Sequence, residues 1–118
     1  PKLLDKYYAD RRNPLVAFAG QMTGVEGYVE STASGYLAAV AMAAKIQGQE
    51  VPDFPKETAI GALGQYVSDE SIENFQPMNI NFSIIAPLEK RIRKKAEKNL
   101  AIAARSLDVI DRLVAKGI

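Results

Sequence analysis

Hydrophobic positions in the last quarter of the chain recur at spacings of three and four residues. This stripe consists of Leu88, Ile92, Ala96, Leu100, Ala103, Leu107, Ile110 and Val114. Because an α-helix has about 3.6 residues per turn, this spacing places all of them on one face. The pattern therefore predicts an amphipathic helix over residues 88–116.

Two further segments have helical character. Residues 25–48 are rich in alanine, which favours helix most strongly, and end at Gly48, a typical C-terminal stop. Residues 55–67 combine a shorter apolar stripe with Pro55, which suits the first turn of a helix. We expect a long helix in the first segment and a shorter one in the second.

The N-terminal residues 1–24 predict a short helix, a strand and a turn, in that order. Residues 1–13 have helix-like apolar spacing up to the break at Pro14, and the apolar residues 15–19 suggest a buried strand. Residues 75–87 lack a helical pattern and leave room for one more short strand. The predicted fold class is mainly α with one or two short strands.

Composition narrows the possible chemistry. The chain has 118 residues, a net charge of +1, and neither cysteine nor histidine. Thiolate nucleophiles, disulfides, zinc-thiolate sites and imidazole bases are therefore excluded within it. No apolar run approaches the roughly 20 residues that span a bilayer, so we expect no membrane partner and a cytoplasmic location.

The glycine-rich turn is the sharpest candidate for a ligand site. Gly20, Gly24 and Gly27 lie between the predicted strand and the long helix. Glycine allows close backbone approach, and a helix start offers unpaired N–H groups that suit an electron-rich group. From spacing alone, a turn that binds no ligand is an open alternative.

Three ordered segments of the chain match a known family. Residues 18–31, FAGQMTGVEGYVES, resemble the flavin-contacting motif of the folate- and FAD-dependent tRNA (uracil-5-)-methyltransferases. Residues 54–63, FPKETAIGAL, and residues 74–82, NFQPMNINF, resemble two further blocks of that family. The FAD-dependent wobble-uridine modification proteins share a similar turn, but the latter two blocks argue against them.

The resemblance implies a single C-terminal fragment of a larger enzyme. The family's dinucleotide-binding G-x-G-x-x-G fingerprint and its catalytic cysteines are absent here. We therefore expect the C-terminal part of an FAD-binding α/β (Rossmann-like) domain, inactive without its missing N-terminal part. By resemblance, the full enzyme methylates a T-loop uridine of tRNA at C5, using methylenetetrahydrofolate, FADH2 and reducing equivalents from NAD(P)H.

The resemblance also assigns the flavin-ring side of the FAD site to the turn. The implied cofactor-binding residues are Gly20, Gln21, Thr23, Gly24, Val25, Glu26, Gly27 and Tyr28. Backbone N–H groups of residues 24–27 would stabilise negative charge on the reduced flavin ring. The roles of two of these residues stay open. Tyr28 packs either on flavin or on folate, and Glu26 interacts either with the helix dipole or with a ring N–H.

A cluster of cations is the second candidate site. It comprises Lys90, Arg91, Arg93, Lys94, Lys95 and Lys98, and we expect it to contact tRNA phosphates. The alternative for this cluster is the solvated face of a helix.

The alternative for the whole chain is a free-standing helical module that binds nucleic acid or protein. Without its neighbouring layers, the alanine-rich helix is also expected to form a homo-oligomer.

Overall fold

The computed structural model describes residues 2–116. It is mostly helical with one small two-stranded antiparallel sheet, which confirms the predicted fold class at this level. The elements in order are β1 (Ala9–Asp10), β2 (Asn13–Ala17), α1 (Tyr28–Ile46), α2 (Ala59–Ser68) and α3 (Lys95–Ala115), with 3₁₀ turns at Gln21–Thr23 and Phe82–Ile84. No helix within residues 2–116 is both long and apolar enough to cross a bilayer.

The prediction of a short helix in residues 1–13 is wrong for the described residues 2–13. The Asp5 carboxylate accepts hydrogen bonds from the N–H groups of Tyr7 and Ala9, at 2.9 and 3.1 Å. Such local side-chain bonds compete with helix formation. Tyr8 also takes a left-handed φ of 63°, which a helix does not contain.

The strand that follows is earlier and more exposed than predicted. β2 pairs only with β1 among the described residues and begins at Asn13, so it does not coincide with residues 15–19. Leu15 and Val16 are exposed, although their apolar character suggested burial. Because consecutive side chains of a strand point to opposite faces, neither face of β2 is fully covered within residues 2–116.

Helix α1 packs along one face only. Its buried residues are Ser34, Leu37, Ala38, Ala41 and Ala44, and these mostly small side chains allow close approach of the neighbouring chain. Its opposite side exposes Tyr28, Val29, Tyr36 and Ile46. The helix therefore lies on the core without being covered on its outer side.

Helix α2 begins at Ala59 because Thr58 caps it. The Thr58 hydroxyl accepts a hydrogen bond from the Gly61 N–H at 3.0 Å and donates one to the Pro55 carbonyl at 2.8 Å. Pro55 therefore precedes the helix and is not in its first turn as predicted. Leu63 and Val67 of this helix join a core with Tyr8, Val25, Leu37, Ala38 and Phe54.

Helix α3 begins at Lys95, seven residues after the predicted start at residue 88. The Arg105 guanidinium donates to the carbonyl oxygens of Ala86 and Pro87, which holds the preceding segment against the helix. Leu88 packs with the small buried cluster of Ala62, Ile85 and Ile102. These tertiary contacts keep residues 86–94 out of the helix.

Candidate functional site

The glycine-rich turn is built on backbone conformations that favour glycine. Gly20, Gly24 and Gly27 have φ values of 82°, 102° and 100°. The Gly20 N–H donates to the Ser34 hydroxyl of α1 at 3.0 Å, and the Thr23 hydroxyl donates to the Gly20 carbonyl at 2.7 Å. The three glycines thus allow the chain to reverse from β2 into α1.

The segment of residues 75–80 braces this turn from one side. The Glu26 N–H donates to the Met78 carbonyl, and the Met78 N–H donates to the Gly24 carbonyl, both at 3.0 Å. The Asn79 amide donates to the Glu26 carbonyl at 2.9 Å. A side chain at Gly24 would collide with the Phe75 ring. The turn and the NFQPMNINF block therefore form one structural unit.

The start of α1 offers three free donors. Within residues 2–116, the N–H groups of Tyr28, Val29 and Glu30 have no partner, and the first helical bond runs from the Ser31 N–H to the Gly27 carbonyl. The N–H groups of Gly24 and Glu26, by contrast, are bonded inside the protein. The donors available to a ligand therefore extend beyond residues 24–27, into the first turn of the helix.

Two carboxylates lie near these donors. Glu30 accepts a hydrogen bond from the Ile80 N–H at 3.3 Å and lies over Gly27. Glu26 is exposed, and its side chain has no bonded partner among the described residues. Negative charge at a helix start already interacts favourably with the helix dipole. The site therefore suits a polar ring edge with partial negative charge better than a full anion.

The exposed rim of the turn is partly apolar and aromatic. Tyr28, at the start of α1, is 93% exposed, and Met22 of the 3₁₀ turn is 75% exposed. Gln21, also exposed, precedes Met22 in that turn. Thr23 and Val25 are buried, so their side chains hold the turn together. The start of α1 therefore presents an uncovered aromatic side chain next to unpaired donors, a combination that suits the face and edge of a planar heterocycle.

The six cations of the second candidate site are all exposed. Lys90, Arg91, Arg93 and Lys94 lie in the irregular segment before α3, and Lys95 and Lys98 lie in the first turn of that helix. Lys94 approaches Glu97 at 3.9 Å. No hydrogen bond or ion pair within residues 2–116 connects this cluster with the glycine-rich turn.

The contact between the turn and residues 75–80 was missed by sequence reasoning. These segments are separated by about 50 positions, and neither has a periodicity that indicates a partner. Their common resemblance to one family was the only available signal that they belong together. Asn79 holds this block against the turn by donating to the Glu26 carbonyl, and Asn81 accepts a hydrogen bond from the Ser83 N–H within the block.

Comparison with known proteins first defines a broad class. The family model described as "Glucose inhibited division protein A" matches residues 1–50, which contain the glycine-rich turn and the whole of α1. Curated relatives match nearly the whole chain. The methylenetetrahydrofolate--tRNA-(uracil-5-)-methyltransferase TrmFO of Bacillus cereus strain G9842 is 50% identical over 114 residues, 97% of this chain and 26% of the relative.

Two relatives from other bacteria carry the same name. The enzyme of Acetivibrio thermocellus is 49% identical over 116 residues, and that of Natranaerobius thermophilus is 48% identical over 116 residues. Each match covers 98% of this chain and 27% of the relative. The chain therefore belongs to the family of methylenetetrahydrofolate--tRNA-(uracil-5-)-methyltransferases, and it spans about a quarter of the length of these relatives.

Proposed function

We propose that this chain forms the flavin-ring side of the FAD site in a longer tRNA methyltransferase. In that enzyme, methylenetetrahydrofolate and FADH2 would supply the methyl group added to C5 of a T-loop uridine. The observation that carries the proposal is the set of unpaired N–H groups at Tyr28, Val29 and Glu30, on an exposed and braced turn. The names and coverage of the relatives support the wider activity.

The residues of the turn have separable roles in this proposal. The first-turn N–H groups of α1 donate to the electron-rich edge of the ring system, where the helix dipole also favours partial negative charge. Tyr28 packs against an aromatic ring, of flavin or of folate. Gln21 lies at the ring edge. Gly24 and the buried Thr23 keep the backbone in the required shape.

The rest of the active site would come from outside this chain. The 118 residues contain no cysteine, so a cysteine nucleophile has to be supplied by another part of the longer protein. In the proposal, that part also supplies the pyrophosphate-binding fingerprint and completes a Rossmann-like α/β domain. The bound flavin, in its reduced form FADH2, would supply the reducing equivalents, and NAD(P)H would reduce it again. The chain alone is then inactive.

The exposed cations support contact with tRNA. Four of the six lie on an irregular segment that can follow a phosphate backbone, and their side chains project into solvent. Phosphate contacts add affinity without reading sequence. The second candidate function, a free-standing nucleic-acid-binding module, rests on this cluster alone. It accounts neither for the braced turn nor for the length of the relatives.

A flavin titration tests the proposal. FAD fluorescence is followed with this chain alone, with the remaining part of the longer protein alone, and with the two mixed. We expect binding in the mixture and none with the chain alone, because the chain holds only one side of the site. If both pieces are folded and the mixture does not bind FAD, the flavin-side role is wrong.

A further inference from the structure

Helix α3 has two apolar faces, and only one of them is covered. The inner face carries Ile102, which is 2% exposed, together with the partly buried Ile110 and Leu113. The outer face carries most of the helical part of the stripe recognised in the sequence. On it, Leu100 is 71% exposed, Leu107 is 66% exposed and Val114 is 58% exposed. The strongest apolar pattern of the helix thus points away from the rest of residues 2–116.

The spacing of this outer stripe is that of a helix–helix seam. Its exposed members are Ala96, Leu100, Ala103, Leu107 and Val114, with successive separations of four, three, four and seven residues. Ile110 fills the remaining position of the repeat, at the edge of the stripe where it is partly buried against the core. This is the a/d spacing of heptad repeats, in which apolar side chains pack into a facing helix. The stripe is about 27 Å long at about 1.5 Å per residue, which is enough for five turns of contact.

The charges beside the outer stripe disfavour pairing with a second copy. Glu97 and Asp111 lie on one flank of the stripe, and both are exposed. In an antiparallel pair, Glu97 of one copy would lie beside Asp111 of the other. In a parallel pair, the cation clusters of residues 90–98 would come together. Like charges are therefore brought close in either orientation, which costs stability.

We propose that the outer stripe of α3 packs against a helix from the part of the longer protein that lies outside this chain. That helix would carry apolar residues at heptad spacing and Lys or Arg facing Glu97 and Asp111. The chain spans about a quarter of the length of its relatives, so a large part of the polypeptide is available to cover this face. The inference rests on family membership and not on the proposed flavin site.

Cysteine accessibility in the longer protein tests this docking. Ala103→Cys and Leu107→Cys place a thiol on the outer stripe, and Asp108→Cys places one on a third, exposed side of the same helix. Because this chain has no native cysteine, a peptide from α3 reports only the introduced thiol. Alkylation by iodoacetamide is followed by mass spectrometry of that peptide, under conditions in which the protein stays folded.

We expect the thiols at positions 103 and 107 to react at least about tenfold more slowly than the thiol at position 108. A thiol on a covered face reacts only when the protein opens locally. This protection should be the same at low and high protein concentration. Equal rates at all three positions would overturn the proposal. Protection that disappears on dilution would also overturn it, because the occupant would then be a second copy. The conservative Ala103→Cys variant keeps the test valid if Leu107→Cys disturbs folding.

Discussion

The backbone N–H of Tyr28 is the group on which the proposed flavin site depends most directly. It lies at the first position of α1, has no partner within residues 2–116, and is surrounded by exposed side chains. A proline at this position removes the N–H without disturbing a helical hydrogen bond, and the extended ψ of 154° at Gly27 is compatible with a following proline. The donor can therefore be deleted separately from the phenol ring.

Comparison of Tyr28→Pro with Tyr28→Ala in the longer protein isolates this hydrogen bond. Both variants lose the phenol, but only the proline variant loses the N–H. We expect Tyr28→Pro to bind reduced FAD about tenfold more weakly than Tyr28→Ala, which corresponds to one charge-assisted hydrogen bond. Affinity is measured by titration under anaerobic conditions. Equal affinities for the two variants would exclude the Tyr28 N–H as a flavin donor.

Tyr8 is a second residue whose chemistry is set by its surroundings. Its side chain is fully buried, and the hydroxyl has no hydrogen-bond partner within the described part of the chain. Burial raises the pKa of the Tyr8 phenol well above its ordinary value. The folded state therefore keeps the phenol protonated at a pH at which the unfolded chain ionises it. Its contribution to stability is present below pH about 10 and declines above it.

We expect Tyr8→Phe to make the chain less sensitive to alkali. At pH 8 the variant should be as stable as the parent or more stable by up to about 1 kcal/mol, because an unsatisfied buried hydroxyl is removed. Between pH 10 and 11 the parent should lose roughly 1 kcal/mol relative to the variant. Urea unfolding at both pH values measures the difference.

Tyr7→Phe is the control at pH 8 for the loss of a hydroxyl that has a hydrogen-bond partner. The Tyr7 hydroxyl donates to the Pro52 carbonyl at 3.1 Å, so this variant should lose about 1 kcal/mol of stability at pH 8. A parallel loss in Tyr8→Phe at pH 8 would show that the Tyr8 hydroxyl is satisfied in solution.

At the scale of elements, the turn before α1 depends on its contact with residues 75–80. Gly24 combines a positive φ with a Cβ position that the Phe75 ring occupies. The same ring lies 5.3 Å from the Tyr66 ring of α2, measured between centroids. The turn, the irregular segment and α2 are therefore coupled through one aromatic side chain.

We expect Gly24→Ala to destabilise the chain by about 2–4 kcal/mol, from backbone strain together with overpacking. Gly48→Ala is the control: its φ of 68° is also positive, but nothing lies within 4 Å of its added methyl group. That change should cost only about 1–2 kcal/mol. Urea unfolding compares the two. Combining Gly24→Ala with Phe75→Leu should recover part of the lost stability. If the two substitutions instead change the free energy of unfolding in a strictly additive way, the clash between the added methyl group and the Phe75 ring is contradicted.

At the scale of the whole molecule, much apolar surface is left without a partner. One face of α1, the outer stripe of α3 and most side chains of β2 are exposed among residues 2–116. The core lies between α1, α2 and the N-terminal segment. Exposed apolar side chains in this number are typical of a group of helices and strands that forms part of a larger domain. Self-association of the chain through α1 stays a prediction that sedimentation can test.

The cation cluster gives a prediction for the longer protein. Replacement of Lys90, Arg91, Arg93, Lys94 and Lys95 by Gln should weaken tRNA binding and flatten its dependence on salt. Each lost phosphate contact should reduce the slope of log K against log salt by about 0.7–0.9. Fluorescence anisotropy at several salt concentrations measures this slope. A control that replaces Lys2, Lys45 and Lys116 by Gln should leave it nearly unchanged. An unaltered slope in the five-residue variant would exclude the cluster from tRNA contact.

The amino-acid sequence by itself determined that α1, α2 and α3 exist, because alanine content and apolar periodicity are local properties of the chain. It also determined the position of the glycine-rich turn and the family. Periodicity defines a helical face without identifying what covers it. The stripe was therefore predicted correctly only for its part within α3, where the structure turns Leu100, Leu107 and Val114 away from the rest of the described residues. Leu88 lies before the helix and packs in a buried cluster.

Only the tertiary structure decided the element boundaries and the surroundings of the turn. The Asp5 carboxylate accepts hydrogen bonds from nearby N–H groups, and the N-terminal segment is therefore irregular instead of helical. The Thr58 side chain sets the start of α2. Arg105 and Leu88 hold the chain before α3 in place. The bracing of Gly24 by Phe75 joins residues about 50 positions apart. Each of these outcomes depends on a specific hydrogen bond or close packing contact, which hydrophobic periodicity does not encode.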